Sequence, residues 1–452
     1  MRALILLPLV LTACAPRSAY SPPPLPVSAA WQGLEAASTA GEVREGRWWE
    51  EFADAGLVAL VDEVLAVNGD LAAAGYRLER AQLANRLAGR ALLPSASASL
   101  DSAASAELDG PGESRGSGAS LGVAWEVDLF GRLAAERDTT SWEAAATGED
   151  LLATRLALIG ATVTAWYQLA HANERVTLAD ESLGYTRRAL QLVQLQYDAG
   201  AVSRVELRDA GQSVATQEAA RTQLVQAQVE SRNALAALLA RQSYDGPELP
   251  RLPRGGLPAI DPGLPAEILA RRPDLAAAEY RLRASLASVD ATRARFYPAL
   301  NLTAGVGTAS DSLLDFVENP VASLGALLTL PFLNPERVRL SVGIARADYA
   351  ASAELFRQTF FNAVTEVSSL LSQRARQADQ AEALVRSLEA ARDAEMLYER
   401  QYRAGAIPLR SWLDAQERRR SAEIAVTDNR LARIVNQVTL HQALGGDART
   451  PV

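Results

Sequence analysis

Between positions 47 and 67 apolar side chains recur three and four residues apart: Trp48, Trp49, Phe52, Leu57, Leu60, Val61, Val64 and Leu65. That spacing predicts helix. A second helical stretch, 70–93, stops at Pro94, because the residue before a proline is pushed out of the helical region. The period then falls from about 3.6 to two. Ala96, Ala98 and Leu100 alternate with Ser95, Ser97, Ser99 and Asp101, which predicts a strand over about 94–104. A Gly/Ser/Asp-rich loop is expected near 105–117. Leu121, Val123, Trp125, Val127 and Leu129 then share one face of a second strand, about 118–129. No proline follows from 132 to 197, so an unbroken helix there would reach roughly 100 Å at 1.5 Å per residue. Gly200 is placed to close it in the left-handed conformation. Ser203 and Glu206 have capping-box spacing for a returning helix, giving a helical hairpin over 131–240.

The same plan occurs twice. Asp70-Leu71-Ala72-Ala73-Ala74 and Tyr76-Arg77-Leu78 return as Asp274-Leu275-Ala276-Ala277-Ala278 and Tyr280-Arg281-Leu282, and Pro94 returns as Pro298. Ala119-Ser120-Leu121-Gly122 returns as Ala322-Ser323-Leu324-Gly325. Gln196-Tyr197 and Ala199-Gly200-Ala201 return as Gln401-Tyr402 and Ala404-Gly405-Ala406, and Asp209-Ala210 as Asp414-Ala415. Nearly equal offsets at separate places exclude coincidence, so the chain reads as two copies of one unit. The first copy covers 46–244 and the second 266–446, with a Pro/Gly-rich linker at 245–265. In the second copy the strands are expected at about 298–308 and 321–331, with a loop near 309–319. Its helical hairpin covers 336–444, closed by Gly405 and restarted by Pro408 in a first helical turn. A strand with one apolar and one small or polar face over about ten residues suits a position between lipid and a wet lumen. It equally suits a half-buried soluble hairpin.

The amino terminus adds a compartment. Met1-Arg2, an apolar run over 3–10 and Leu11-Thr12-Ala13-Cys14 have the layout of a secretory signal over 1–13 that ends in a lipobox-like site. Cys14 is the only cysteine, so no intrachain disulfide is possible, and its place at the cut marks it for lipidation. Alanine rather than aspartate at position 15 favours the outer membrane. Residues 14–45, rich in proline, serine and alanine, read as an extended tether with no fold of its own, and 447–452 as a tail. The net charge of −9 disfavours nucleic acid. Much of the 48% hydrophobic fraction is alanine while aromatics are 6%, which suits close helix contacts over one large core.

Signals of catalysis, cofactor or metal are nearly absent. The two histidines, His171 and His441, stand alone in long helical stretches, and no zinc spacing can be built. Gly112-Glu113-Ser114-Arg115-Gly116 fits G-x-S-x-G, but in a glycine/serine loop rather than between strand and helix. The chain reads as no enzyme.

Several motifs together carry a resemblance: Trp48-Trp49 with Phe52; Leu92-Leu93-Pro94; Trp125-Glu126-Val127-Asp128-Leu129-Phe130-Gly131-Arg132; Arg271-Arg272-Pro273-Asp274-Leu275; Phe296-Tyr297-Pro298; Leu413-Asp414-Ala415-Gln416; and Ala443-Leu444-Gly445-Gly446. The chain resembles the TolC-like outer-membrane factors, in particular their NodT-like lipoprotein branch. One departure is Pro331-Phe332-Leu333-Asn334-Pro335-Glu336-Arg337, where relatives carry a glycine-rich turn. The resemblance implies a mixed α and β fold whose two tandem repeats give four strands to a transmembrane β-barrel closed by trimerisation, continuous with a long periplasmic α-helical barrel. It implies a passive exit duct at the outer membrane, in a homotrimer, served by a periplasmic adaptor and an inner-membrane pump of the proton-driven resistance-nodulation-division (RND) class. Gly200, Ser203, Gly405 and Pro408 would shape the periplasmic tip where the adaptor docks. Asp414, with Arg410 one turn before it, would line the gate, although an aspartate there is ordinarily just solvated. Glu126 and Asp128 would face the barrel lumen. The competing reading is a structural envelope lipoprotein whose long helical hairpins enclose no pore; a hydrolase using Ser114 is a third.

Overall fold

The computed structural model describes residues 17–25, 47–106, 108–109, 113–260, 271–310 and 320–446. The signal segment, Cys14, most of the tether, the end of the linker, much of the second strand-to-strand loop and the tail lie outside the described residues. A 3-10 turn, Trp48–Phe52, precedes α1 (Ala55–Val67) and α2 (Gly69–Arg90). Then come β1 (Ser95–Ala106), β2 (Glu113–Val127), α3 (Arg132–Asp198) and α4 (Arg204–Leu238). The second half brings α5 (Pro273–Ala294), β3 (Ala299–Ser310), β4 (Val321–Thr329), a 3-10 turn Pro331–Leu333, α6 (Pro335–Arg403) and α7 (Leu409–Ala443). No helix among the described residues is long and apolar enough to cross a membrane.

Strand β2 starts five residues before the position expected from the alternating pattern, and Ala106 pairs with Glu113 across much of the expected loop. The reason is that ladder hydrogen bonds are made by backbone, so a Ser/Gly-rich run that composition marks as loop still pairs. The departure after β4 has its own solution. Asn334 Oδ1 accepts from Arg337 N at 3.1 Å, so Asn334 caps α6 and Pro335 takes the first helical position.

The chain divides into two compact units, residues 1–26, 75–150 and 274–360 in one, and 27–74, 151–273 and 361–452 in the other. The first holds one antiparallel sheet in the order β1-β2-β3-β4. The two repeats meet within it, where Val123 opposes Ala304 and Trp125 opposes Leu302. Register puts like with like. Ala98, Leu121, Val306 and Ala322 share a face, while Ser97, Gly122, Gly305 and Ser323 share the other. The apolar face is open to the surroundings, with Leu100 82% and Leu324 88% exposed. Among the described residues both outer strands keep an unpaired edge.

The second unit has an aromatic core. Trp48, Trp49, Leu57, Val61 and Val64 pack with Ile159, Val163, Trp166 and Tyr167 of α3, Leu235 of α4, and Ile434 and Val438 of α7. Asp54 ties it together, capping α1 through Gly56 N and Leu57 N and accepting Trp166 Nε1 at 2.9 Å. The linker is not free. Leu252 is buried in this core, and its N–H donates to Glu174 Oε2 at 3.1 Å. Pro258 O accepts from both Arg374 and Gln437.

Candidate functional site

The two hairpin turns are built alike because their sequences repeat. Gly200 and Gly405 have φ of 73° and 71°. Gly200 N donates to Tyr197 O and Ala201 N to Gln196 O, at 2.9 and 2.8 Å; Gly405 N donates to Tyr402 O and Ala406 N to Gln401 O, both at 2.9 Å. This is the Schellman pattern, which satisfies the last carbonyls of each long helix. The restarts differ. Ser203 completes its capping box with Glu206, whose N–H reaches Ser203 Oγ and whose carboxylate accepts Ser203 N. Pro408 stands at the N-cap, one residue before the first-turn position expected, and offers no side-chain cap. A small apolar cluster of Ala189, Val193, Ala210, Tyr402, Leu409 and Trp412 joins both turns. Tyr402 stacks on Trp412 at 5.3 Å and donates to Gln196 Oε1 at 2.6 Å. Burial, and then Glu206, raises the Tyr402 phenol, so it stays a neutral donor.

Beside these turns a groove of about 460 Å³ lies among α3, α4 and α7. Asp414 and Arg410 both line it, and both are exposed. Asp209, the repeat partner of Asp414, lines it too; the shared Asp-Ala step at the two positions was the available signal for it. Among the described residues neither aspartate, nor Arg410, has an ion-pair partner, so the pair that four-residue spacing allows between Arg410 and Asp414 is not made. The other arginines are engaged. Arg420 pairs with Glu417 at 2.5 Å. Arg419, 15% exposed, pairs with Glu395 at 2.5 Å and Glu423 at 2.8 Å and lies 5.4 Å from the Tyr185 ring. Among the described residues the groove therefore presents two carboxylates, Asp209 and Asp414, and one arginine, Arg410, without ion-pair partners.

Glu126 and Asp128 stand at the corner from β2 into α3. Glu126 is in the strand, on the small and polar face, and receives Arg132 Nη2 at 2.7 Å on both oxygens; Arg132 also reaches Glu136 at 2.9 Å. Asp128 lies one residue beyond the strand and accepts Leu133 N and Ala134 N at 3.1 and 2.8 Å. It caps α3, where the positive end of the helix favours a carboxylate. Gly131 at φ 71° lets the chain turn between Asp128 and the start of α3.

Ser114 lies within β2 opposite Ser105, not at a strand-to-helix elbow. His171 pairs with Asp428 at 2.8 Å, and His441 stacks on Trp48 at 4.8 Å. Among the described residues no group of His, Cys, Asp or Glu is arranged to hold a metal ion.

A family model described as outer membrane efflux protein matches the chain in two successive stretches, residues 60–241 and 264–446. The chain is 30% identical to the pyoverdine export outer membrane protein OpmQ of Pseudomonas putida, over 98% of this chain and 97% of that one. It is also 30% identical to outer membrane protein OprJ of Pseudomonas aeruginosa, over 98% and 95%. Among solved structures, the open state of the Neisseria gonorrhoeae MtrE outer membrane channel matches with a TM-score of 0.84 at 27% identity, over 96% of this chain and 99% of that one.

Proposed function

Because the chain belongs to the outer membrane efflux protein family, we propose that it is the outer-membrane duct of a tripartite efflux system, a passive exit for substrates delivered by an inner-membrane pump through a periplasmic adaptor. It is a channel and carries out no catalysis. The observation that supports this most directly is the sheet, with four strands, an exposed apolar face and two unpaired edges. Lipid offers no partner for unpaired backbone, so such a sheet must close with other copies. Three copies give twelve strands, and the hairpins of three copies form the periplasmic cylinder. The turns at Gly200, Ser203, Gly405 and Pro408 are the adaptor contact, and Asp414, Arg410 and Asp209 form the gate. Glu126 and Asp128 face the lumen at the strand-to-helix corner. Acylated Cys14 anchors each copy.

Energy comes from the partner, a proton-driven pump of the RND class, which also selects the substrate. The test is purified protein in a planar bilayer, after crosslinking and mass analysis of the assembled species. Discrete conductance steps from a three-chain species are expected; folded protein that yields none would leave the helical scaffold reading in its place. Mass analysis of the amino terminus should show a diacylglyceryl group on Cys14.

A further inference from the structure

The tether is expected to hang free, yet its first described residues are seated in a built site. Residues 17–20 take no regular secondary structure. Ser18 nevertheless donates twice to one carboxylate, from its N to Asp290 Oδ2 at 2.7 Å and from its Oγ to Asp290 Oδ1 at 2.6 Å. Asp290 is only 9% exposed, and Arg293 reaches both Asp290 Oδ1 at 3.3 Å and Ser18 Oγ at 3.0 Å. A carboxylate buried to that degree requires partners, and Ser18 supplies one for each oxygen. Charge-assisted bonds of this kind are the stronger class. On either side of Ser18 the chain is held again. Arg17 pairs with Asp138 of α3 at 3.0 Å. Tyr20 lies 4.4 Å from the Arg283 guanidinium, which is also 5.0 Å from the Trp142 ring, and donates to Glu279 Oε1 at 3.3 Å. Burial, and then Glu279, pushes the Tyr20 phenol up to about 12, so it remains a donor.

These contacts fall on both repeats. Asp138 and Trp142 belong to the helix after β2, and Glu279, Arg283 and Asp290 to the helix before β3. Asp290 precedes the start of β3 by nine residues. The four steps from Cys14 to Ser18 span no more than about 14 Å of extended chain. We propose that residues 17–20 are a docking strap, with Asp290 and Arg283 as its receptor, that clasps the two repeats together beside the strands and holds the lipidated amino terminus within that reach of Ser18. The anchor half of this rests on lipidation of Cys14; the docking half does not. The strap keeps the acyl group within that reach of the strand-bearing unit.

The Arg17-Ser18 peptide bond is itself a trypsin site, so cleavage there reports release of the strap. Full-length protein in detergent is digested briefly, and the new amino terminus at Ser18 is followed by intact mass. The parent should be cut at least tenfold more slowly than Asp290→Ala. It should likewise be cut at least tenfold more slowly than the double variant Ser18→Ala/Tyr20→Ala, whose changes lie on the strap and leave the helices beneath it as they were. Equal rates in the parent and in the strap-side variant overturn the strap. The released fragment carries Cys14, so an acyl-free fragment from a protected parent overturns the anchor reading alone.

Discussion

Gly200 and Gly405 adopt a left-handed backbone with nothing within 4 Å of an added Cβ, so a side chain there meets a conformational penalty and no clash. Gly405→Ala should therefore cost about 1–2 kcal/mol. Gly211 is also open but sits inside α4 with ordinary helical backbone, so Gly211→Ala should be neutral or stabilising by up to about 1 kcal/mol. Thermal midpoints check the pair, and equal shifts would show that the turn does not need glycine. At the proposed gate, Asp414→Ala should raise single-channel conductance modestly or weaken block by divalent cations. Arg410→Glu should destabilise closure more, because it adds like charge to a groove whose aspartates are already unpaired. Recordings in which both variants match the parent would remove the gate from this groove. His441 supplies a pH dependence. Burial, and then Arg374, pushes it down to about 4, so between about 6.5 and 4 the unfolded chain binds a proton that the folded chain refuses. Stability present above pH 6.5 should be lost as pH falls toward 4, by up to about 3 kcal/mol. His441→Phe keeps a ring against Trp48 and should flatten the fall of the thermal midpoint over that range.

Among the elements, the strands divide most clearly by face. Leu324 is on the exposed apolar face, and Ser323 beside it on the small and polar one. An arginine on a lipid face costs about 2–4 kcal/mol near the bilayer midplane, whereas lumen positions tolerate charge. Leu324→Arg should therefore lower the yield of assembled, heat-resistant protein in the outer membrane well below that of Ser323→Arg; equal yields would mean that this face does not meet lipid. The helical elements obey a different economy. Their ends are fixed by local caps, Asp128, Ser203 and Asn334 among them. Beside the turns, Ala189 and Ala210 let the helices approach closely around the larger Tyr402 and Trp412.

For the whole molecule, the net charge of −9 should give the proposed duct a cation preference, and the ion pairs bear on where it would arise. Glu126 is neutralised by Arg132, and Asp128 is held at a helix terminus. Asp209 and Asp414 carry no such partner among the described residues, and three copies would contribute six of these carboxylates. Asp209→Asn/Asp414→Asn should shift the reversal potential under a salt gradient toward zero more than Glu126→Gln does. A larger effect from Glu126→Gln would place the selectivity at the strand-to-helix corner.

Periodicity by itself determined a great deal. The change from a helical to an alternating pattern after Pro94 and Pro298, the glycines that end the long helices, and the duplication are local or self-referential features, and local backbone preference carries them into the structure. So does the capping box at Ser203, whose partners lie three residues apart. What the sequence could not supply was anything depending on which distant residues meet. Strand pairing runs through Ser/Gly residues whose composition says loop, because backbone pairs there without help from side chains. The tether reads as chain with no fold of its own and the linker only as a Pro/Gly-rich join, since proline and small polar residues describe what a segment lacks; whether it docks depends on a receptor far away in sequence, Asp290 for Ser18 and the α3 core for Leu252. The charges followed the same rule. Acids at 126, 128, 209 and 414 count alike in net charge, and only the structure gave an arginine six residues on to the first and a helix terminus to the second, leaving the last two without ion-pair partners among the described residues, because electrostatic character belongs to the neighbours a group acquires on folding.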